Sequence, residues 1–128
     1  MPLNLMPLDL LIVDDSAAVR MTLGRVLRHA KVPLGSVYEA GDGAEALAIL
    51  REKTVGLIFS GINMPKMDGI QLLTQLKSNE VWKKVPVVMI ATEGSQAKVM
   101  EAAQLGASGY LKTPFSPEQI KEEIEGLI

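Results

Sequence analysis

Short apolar segments alternate with longer segments of helical periodicity along this 128-residue chain, and the alternation restricts the folds available to it. Five short runs rich in β-branched and other apolar residues are predicted as strands: Leu8–Val13, Val37–Ala40, Val55–Phe59, Val85–Ala91 and Ser108–Leu111. Strands that alternate with helices pair in parallel and are covered by helices on both faces. The pattern therefore predicts an α/β domain with a doubly wound, five-stranded parallel sheet.

The segments between these runs carry helical faces and helix-start patterns. Asp42 and Ser116 each stand three residues before a Glu or Gln, which is typical of the first turn of a helix. Apolar residues at i, i+4, i+7, i+8 and i+11 form one face of a predicted first helix: Val19, Leu23, Val26, Leu27 and Ala30. Helices of this length and spacing fit the crossover connections of a parallel sheet.

Composition excludes several classes of protein. Thirteen Lys and Arg against fifteen Asp and Glu give a net charge of −2, which argues against binding nucleic acid or an anionic membrane. The absence of cysteine excludes disulfides and thiolate metal sites, and no apolar run reaches the about 18 residues that span a bilayer. Residues 1–7 lack the pattern of a signal peptide and are predicted as a loosely ordered leader. Residues 8–128 are predicted as a single cytoplasmic domain.

Candidate site residues follow the predicted strands, because ligands bind at the carboxyl ends of strands in such sheets. Asp14 and Asp15 come directly after the first strand. Two adjacent carboxylates at the end of a buried strand are suited to Mg²⁺, which binds one or two carboxylates and keeps several waters. Either aspartate would equally serve as the N-cap of the next helix. The residues alone leave both interpretations open.

Five segments carry a resemblance to a known family: Leu11–Ser16, Asn63–Gly69, Pro86–Ile90, Gly106–Tyr110 and Pro114–Phe115. From Leu8 to Ile128 the chain resembles the response-regulator receiver domains of two-component signalling and phosphorelays, especially the CheY-like single-domain type of chemotaxis. The resemblance implies a flavodoxin-like (βα)5 fold with strand order 2-1-3-4-5.

The chain departs from the family at three positions that bind the phosphoryl group. The family has a phosphoacceptor aspartate two residues before the Asn-Met-Pro motif, and that position is Gly61. A Ser or Thr at the end of the fourth strand is replaced by Ala91, and a lysine before the Pro-Phe pair is replaced by Thr113. Glycine offers no nucleophile, so the resemblance implies that aspartyl phosphate does not form there.

The remaining family positions imply a weakened metal site. Asp14, Asp15 and the Asn63 carbonyl match the family's metal ligands, so we expect weak, vestigial Mg²⁺ binding at best and no required cofactor. Thr92 and Lys112 stand one residue from the missing hydroxyl and amine. Because neighbouring strand residues point to opposite sides, these displaced residues are poor substitutes.

These departures predict a pseudo-receiver, a non-enzymatic domain that binds a signalling protein without phosphorylation. The resemblance implies that it binds through the face formed by helix 4, strand 5 and helix 5. Tyr110 matches an aromatic residue on this face whose side chain, in the family, turns either inward or outward, and the sequence leaves its direction open. We expect a monomer or weak dimer.

One alternative is a conventional phosphorylatable regulator seen as an Asp-to-Gly variant, although Ala91 and Thr113 also differ. A second is a small-molecule-binding domain that uses the vacated pocket.

Overall fold

A computed structural model describes residues 7–92 and 94–127 of the chain. One parallel sheet contains five strands: β1 Leu8–Val13, β2 Leu34–Ala40, β3 Leu57–Gly61, β4 Val87–Ala91 and β5 Gly109–Lys112. The strands pair in the order β2-β1-β3-β4-β5, which confirms the predicted topology. Five helices connect or follow them: α1 Ala17–His29, α2 Gly43–Glu52, α3 Gly69–Lys77, α4 Gln96–Gln104 and α5 Pro117–Glu125.

The sheet has an apolar cluster on each face, because successive strand residues point to opposite sides. Leu11 and Val13 of β1 pack on the face covered by α2, α3 and α4. Leu10 and Ile12 pack on the other face, with residues of α1 and α5. Of α4, Ala102 is buried, and the partly buried Val99 packs against the same cluster.

The predicted run Leu8–Val13 coincides with β1, whereas the other four strands differ from their predicted runs by one to three residues. β2 begins at Leu34 rather than Val37, and it is an edge strand whose residues are only partly buried. β3 and β4 each begin two residues later than predicted, although Val55 is buried just before β3. An apolar run reports burial, whereas strand limits depend on the hydrogen bonds to the neighbouring strand, so the two do not coincide. The predicted leader lies almost wholly outside the described residues.

The predicted helix starts are confirmed. Asp42 accepts a hydrogen bond from the Glu45 amide at 2.8 Å, and Ser116 forms a reciprocal capping box with Gln119, with Pro117 in the first helical turn. Caps of this kind satisfy amides that have no partner within the helix. No helix in the described part of the chain is long and apolar enough to cross a membrane.

Candidate functional site

The carboxyl ends of β1 and β3 bring Asp14 against Gly61. The two strands are neighbours, with Val13 paired to Ser60. Asp14 Oδ2 lies 2.5 Å from the position that a Cβ atom on Gly61 would take, and Asp14 Cγ lies 3.2 Å from it. Heavy atoms essentially never approach a real Cβ more closely than 3.0 Å. The Asp14 carboxylate therefore occupies the space that a side chain at position 61 would enter.

Hydrogen bonds fix the Asp14 carboxylate in this position. Asp14 Oδ1 accepts from the Ser16 amide at 2.9 Å. Ser16 is itself the N-cap of α1, and its hydroxyl accepts from the Val19 amide at 3.2 Å. The interpretation of Asp14 or Asp15 as the helix cap is therefore wrong. Asp14 instead orients the residue that caps the helix.

The Asp14 carboxyl is electrostatically unfavourable in its ionised form. Burial raises the pKa of Asp14 above its ordinary value, and the neighbouring Asp15 carboxylate raises it further. The Ser16 amide and the positive charge of Arg20 act in the opposite direction, but the net shift is upward. The site thus retains a buried negative charge that is only partly compensated.

Arg20 joins the ends of β1 and β2 beside this carboxylate, and sequence reasoning missed it. Its Nη1 donates to the Asp14 carbonyl, and its Nε donates to Glu39 Oε1 at 2.8 Å. The cue in the sequence is its place near the start of α1, where the helix dipole disfavours a cation. A cation at that position indicates a partner outside the helix.

The predicted metal ligands form an incomplete donor set. Asp14 is buried, whereas Asp15 and Asn63 are exposed. Within residues 7–92 and 94–127, no three His, Cys, Asp or Glu side chains come together as a group that could hold a metal ion. One Asp14 oxygen already accepts from Ser16, and the other fills the space next to Gly61. These residues do not fit a tightly bound divalent cation.

The start of α3 approaches Gly61 closely through a second glycine. A Cβ atom on Gly69 would lie near the Gly61 carbonyl oxygen, far inside van der Waals contact. The Gly69 amide donates to the Ile62 carbonyl at 2.7 Å. Asp68 caps α3 in a reciprocal box with Gln71. Gly69 is thus a further structural determinant of the site, missed because a spacing pattern does not reveal close backbone approach.

Ala91 and Thr113 meet on the other side of the site. Ala91 is the last residue of β4 and is buried. The Thr113 amide donates to the Ala91 carbonyl at 2.9 Å, and the Thr113 hydroxyl lies 3.4 Å from the same oxygen. The Thr113 side chain is therefore engaged by the backbone of the neighbouring strand.

Thr92, Lys112 and Tyr110 line a groove between α4 and β5 with a volume of about 410 Å³. Ala91 lines this groove as well, whereas neither Asp14 nor Gly61 does. The Tyr110 side chain points outward, with 52% of the residue exposed. This answers the question of direction that the sequence left open.

Residues 10–125 match the family model of the response regulator receiver domain. The chain belongs to this family. This receiver domain is 37% identical over 120 residues to the probable chemotaxis protein CheY of Rhizobium etli, a match that covers 94% of this chain and 92% of that protein. It is 36% identical over 118 residues to the chemotaxis protein CheY of Pseudomonas aeruginosa, covering 92% and 94% of the two chains.

Solved structures of the family share the fold of this receiver domain. The chemotaxis response regulator CheY4 of Vibrio cholerae superposes with a TM-score of 0.83 at 32% identity, over 96% of this chain and 100% of that chain. The receiver domain of NtrX from Brucella abortus gives a TM-score of 0.83 at 26% identity, over 93% and 97%. Both fold and sequence therefore place the chain among two-component response regulators.

Proposed function

We propose that this receiver domain acts in two-component signalling as a phosphorylation-independent protein–protein interaction module. The observation that carries the proposal is Gly61, the last residue of β3, which is buried and has the Asp14 carboxylate in the space beside it. Aspartyl phosphate requires a carboxylate nucleophile at that place. Asp68, the carboxylate nearest to Gly61 in the sequence, is occupied in capping α3.

Two further residues support the loss of phosphoryl chemistry. Ala91 has no hydroxyl to bond a phosphoryl oxygen, and Thr113 has no positive charge to pair with one. The nearby Lys112 lines the α4–β5 groove instead. An engineered replacement of one aspartate would leave the other two positions intact, so three coincident departures favour a natural pseudo-receiver over an Asp-to-Gly variant.

The surface that we assign to partner binding is the α4–β5–α5 face, formed by Gln96–Gln104, Gly109–Lys112 and Pro117–Glu125. Among the described residues, five large apolar side chains are exposed, and three of them lie on this face or directly after α4: Met100, Leu105 and Tyr110. Exposed apolar groups beside a groove are typical of protein-binding surfaces. In this proposal the domain has no enzymatic activity, needs no cofactor, holds Mg²⁺ weakly at best and acts in the cytoplasm as a monomer or weak dimer.

Incubation with acetyl phosphate and Mg²⁺ followed by intact-mass measurement tests the phosphorylation part of the proposal. We expect the mass of this protein to stay unchanged, whereas a receiver domain with an intact phosphoacceptor gains one phosphoryl group under the same conditions. A base-labile phosphoryl group mapped to any carboxylate of this chain would contradict the proposal.

Affinity capture from the native cell tests the binding part. Wild type is compared with Tyr110→Ala and Met100→Asp on the α4–β5–α5 face and with Met21→Ser, an exposed residue of α1 that serves as control. We expect a partner that is captured by wild type and Met21→Ser, is lost with both face variants, and is indifferent to pretreatment with acetyl phosphate. Capture that requires the phosphodonor, or that survives both face variants, would overturn this assignment.

A further inference from the structure

A second surface lies at the amino-terminal ends of the strands, whereas Gly61 lies at their carboxyl ends. A groove of about 330 Å³ separates the end of α2 from the connection between α3 and β4. We call it the basal groove; the lining residues that matter here are Arg51, Glu52, Lys53, Asn79, Val81 and Trp82. These residues precede β3 and β4, whereas Gly61 ends β3, so about 15 Å of strand separates the groove from the Asp14–Gly61 contact.

An ordered turn holds an apolar side chain outward at this groove. Asn79 Oδ1 accepts from the amides of Val81 at 2.8 Å and Trp82 at 3.0 Å. A 3₁₀ turn, Trp82–Lys84, follows, and the partly buried Trp82 packs against the apolar cluster beneath α3. Val81 is 76% exposed, more than any other large apolar residue described. A fixed turn that presents an isolated apolar side chain to solvent is a preformed contact point rather than a consequence of local disorder.

Charge is segregated at the same place. The charged residues that line the groove are Arg51, Glu52 and Lys53. When the bordering segment 77–84 is included, two anionic residues, Glu52 and Glu80, are outnumbered by five cationic ones: Arg51, Lys53, Lys77, Lys83 and Lys84. The region therefore carries +3 in a chain of net charge −2, which leaves −5 for the remainder.

Helix ends explain only part of this charge. The carboxyl ends of α2 and α3 attract Arg51 and Lys77, since each helix end carries roughly half a negative charge. Lys83 forms an ion pair with Glu80 at 2.9 Å. Lys53 and Lys84 lie outside both helices and are exposed. Lys53 in the groove and Lys84 beside it therefore supply positive charge that helix capping does not require.

We propose that the basal groove is a second docking site, whose occupant is an acidic segment of a partner protein with a large apolar side chain that packs on Val81 and Trp82. Opposite charge across an interface speeds association and selects partners, and an apolar anchor in a groove supplies much of the affinity. The α4–β5–α5 face stays free when the basal groove is filled. The domain would then hold two proteins at once, as an adaptor, and this holds whether or not the proposed function is correct.

Titration of the ¹⁵N-labelled full chain, followed by NMR, tests the site with two probes. One is a short peptide of glutamate and leucine, and the other is the matched peptide of glutamine and leucine. We expect saturable amide shifts confined to residues 51–54 and 79–84 with the acidic peptide, and at least about ten-fold weaker binding of the neutral one, a difference of about 1.4 kcal/mol. Val81→Ser and Lys53→Glu should each weaken acidic-peptide binding several-fold.

Two matched variants serve as controls on other surfaces. Met21→Ser removes an exposed apolar side chain from α1, and Lys98→Glu reverses an exposed charge on α4. Neither should change the affinity. Equal binding of both peptides, an equal effect of Lys98→Glu and Lys53→Glu, or shifts centred on residues 96–112 would overturn the proposal. So would tighter binding of duplex DNA or of anionic lipid vesicles at the same groove.

Discussion

Asp14 Oδ2 lies 2.5 Å from the point that a Cβ atom would occupy on Gly61, so the carboxylate of one strand fills the side-chain space of its neighbour. The position of the Asp14 carboxylate therefore requires a glycine at position 61. Any side chain at position 61 requires the Asp14 carboxylate to shift, and a hydrogen bond from the Ser16 amide holds that carboxylate in place. This coupling leads to measurable consequences for stability, pH dependence and metal binding.

Restoring an aspartate at position 61 should destabilise the domain in EDTA. The Gly61→Asp variant adds two carboxylate repulsions, with Asp14 and Asp15, that cost about 1 to 4 kcal/mol each. Loss of glycine's freedom in the unfolded chain offsets only about 0.5 to 1 kcal/mol. Gly61→Ala provides the matched control, because it introduces the steric clash without the charge and should cost about 1 to 3 kcal/mol.

Thermal melting of wild type and both variants, with and without Mg²⁺, measures these effects. We expect Gly61→Asp to have the lowest melting temperature of the three proteins in EDTA. Mg²⁺ should raise the melting temperature of Gly61→Asp markedly and that of the other two little, since a ligand of the native state stabilises by mass action. An aspartate variant that is more stable than wild type in EDTA would show that position 61 does not lie in the family's metal pocket. The same conclusion would follow if wild type gained as much from Mg²⁺.

Replacing Asp14 with asparagine should stabilise the domain at neutral pH. Asp14→Asn removes a buried charge and its repulsion from Asp15, while an amide oxygen can still accept from Ser16. The gain should be about 1 kcal/mol, the Coulomb energy of two unit charges about 4 Å apart in water, or roughly 4 °C in melting temperature. A lower melting temperature for Asp14→Asn would mean that the carboxylate is net stabilising.

The same substitution should change the pH dependence of stability. A carboxyl whose pKa is raised in the folded state binds its proton more tightly there than in the unfolded chain. The free energy of unfolding therefore falls as the pH rises from 3.8, the ordinary pKa of the aspartate side chain, through the raised pKa of Asp14 in the folded state. Wild type should therefore lose free energy of unfolding across that window relative to Asp14→Asn, and denaturant melts at several pH values would show the difference growing. A constant difference across the window would argue against the raised pKa.

Mg²⁺ should bind this domain at least about ten-fold more weakly than it binds a receiver domain with an intact phosphoacceptor. Two unit charges about 4 Å apart attract by about 4 kcal/mol at an effective dielectric constant of 20, so loss of one carboxylate removes at least that much attraction to a divalent cation, part of which a water ligand recovers. About 1.4 kcal/mol is ten-fold in affinity. Titration by calorimetry or by NMR measures the constant. Sub-millimolar affinity would contradict the incomplete donor set.

Substitution by alanine should change the stability of the domain in opposite directions at Gly69 and Gly24. Gly69→Ala places a methyl group against the Gly61 carbonyl, which is rigid backbone, and should cost about 3 kcal/mol or more by forcing α3 away from β3. Gly24→Ala, within α1, meets nothing closer than the flexible end of Arg28 at 3.8 Å and should stabilise by about 0.5 to 1 kcal/mol. Chemical denaturation compares them directly. Similar effects at both positions would show that the close approach at Gly69 is not a constraint.

Sequence periodicity was sufficient to predict five strands in a parallel α/β sheet because apolar burial determines them, whereas the strand order came from the resemblance to receiver domains. The runs at Leu8–Val13 and Val85–Ala91 mark central strands, and such strands are apolar on both faces of the sheet. Strand limits were less accurate at β2, an edge strand whose polar, exposed residues carry no burial pattern. Alternation and capping residues thus identify elements, but not the residue at which hydrogen bonding starts.

The candidate site was only partly predictable for a different reason. Asp14 and Gly61 could be placed at the ends of neighbouring strands. The position of the Asp14 carboxylate beside Gly61, however, depends on the rotation of the Asp14 side chain and on its hydrogen bond from the Ser16 amide. The outward direction of Tyr110 likewise depends on how α4 packs against β5. Neither choice follows from residue spacing, because each depends on how a side chain rotates once the neighbouring elements have packed together.

The carboxylate in front of Gly61 also affects how this domain can change by mutation. Glycine codons that end in a pyrimidine become aspartate codons by a single nucleotide substitution, so a gene that uses such a codon for Gly61 is one step from an aspartate at that position. The protein resists that step, because the new carboxylate meets Asp14 and lowers stability wherever divalent cations are scarce. A lineage with this arrangement will therefore tend to keep it, unless Asp14 moves together with position 61 or abundant Mg²⁺ offsets the repulsion.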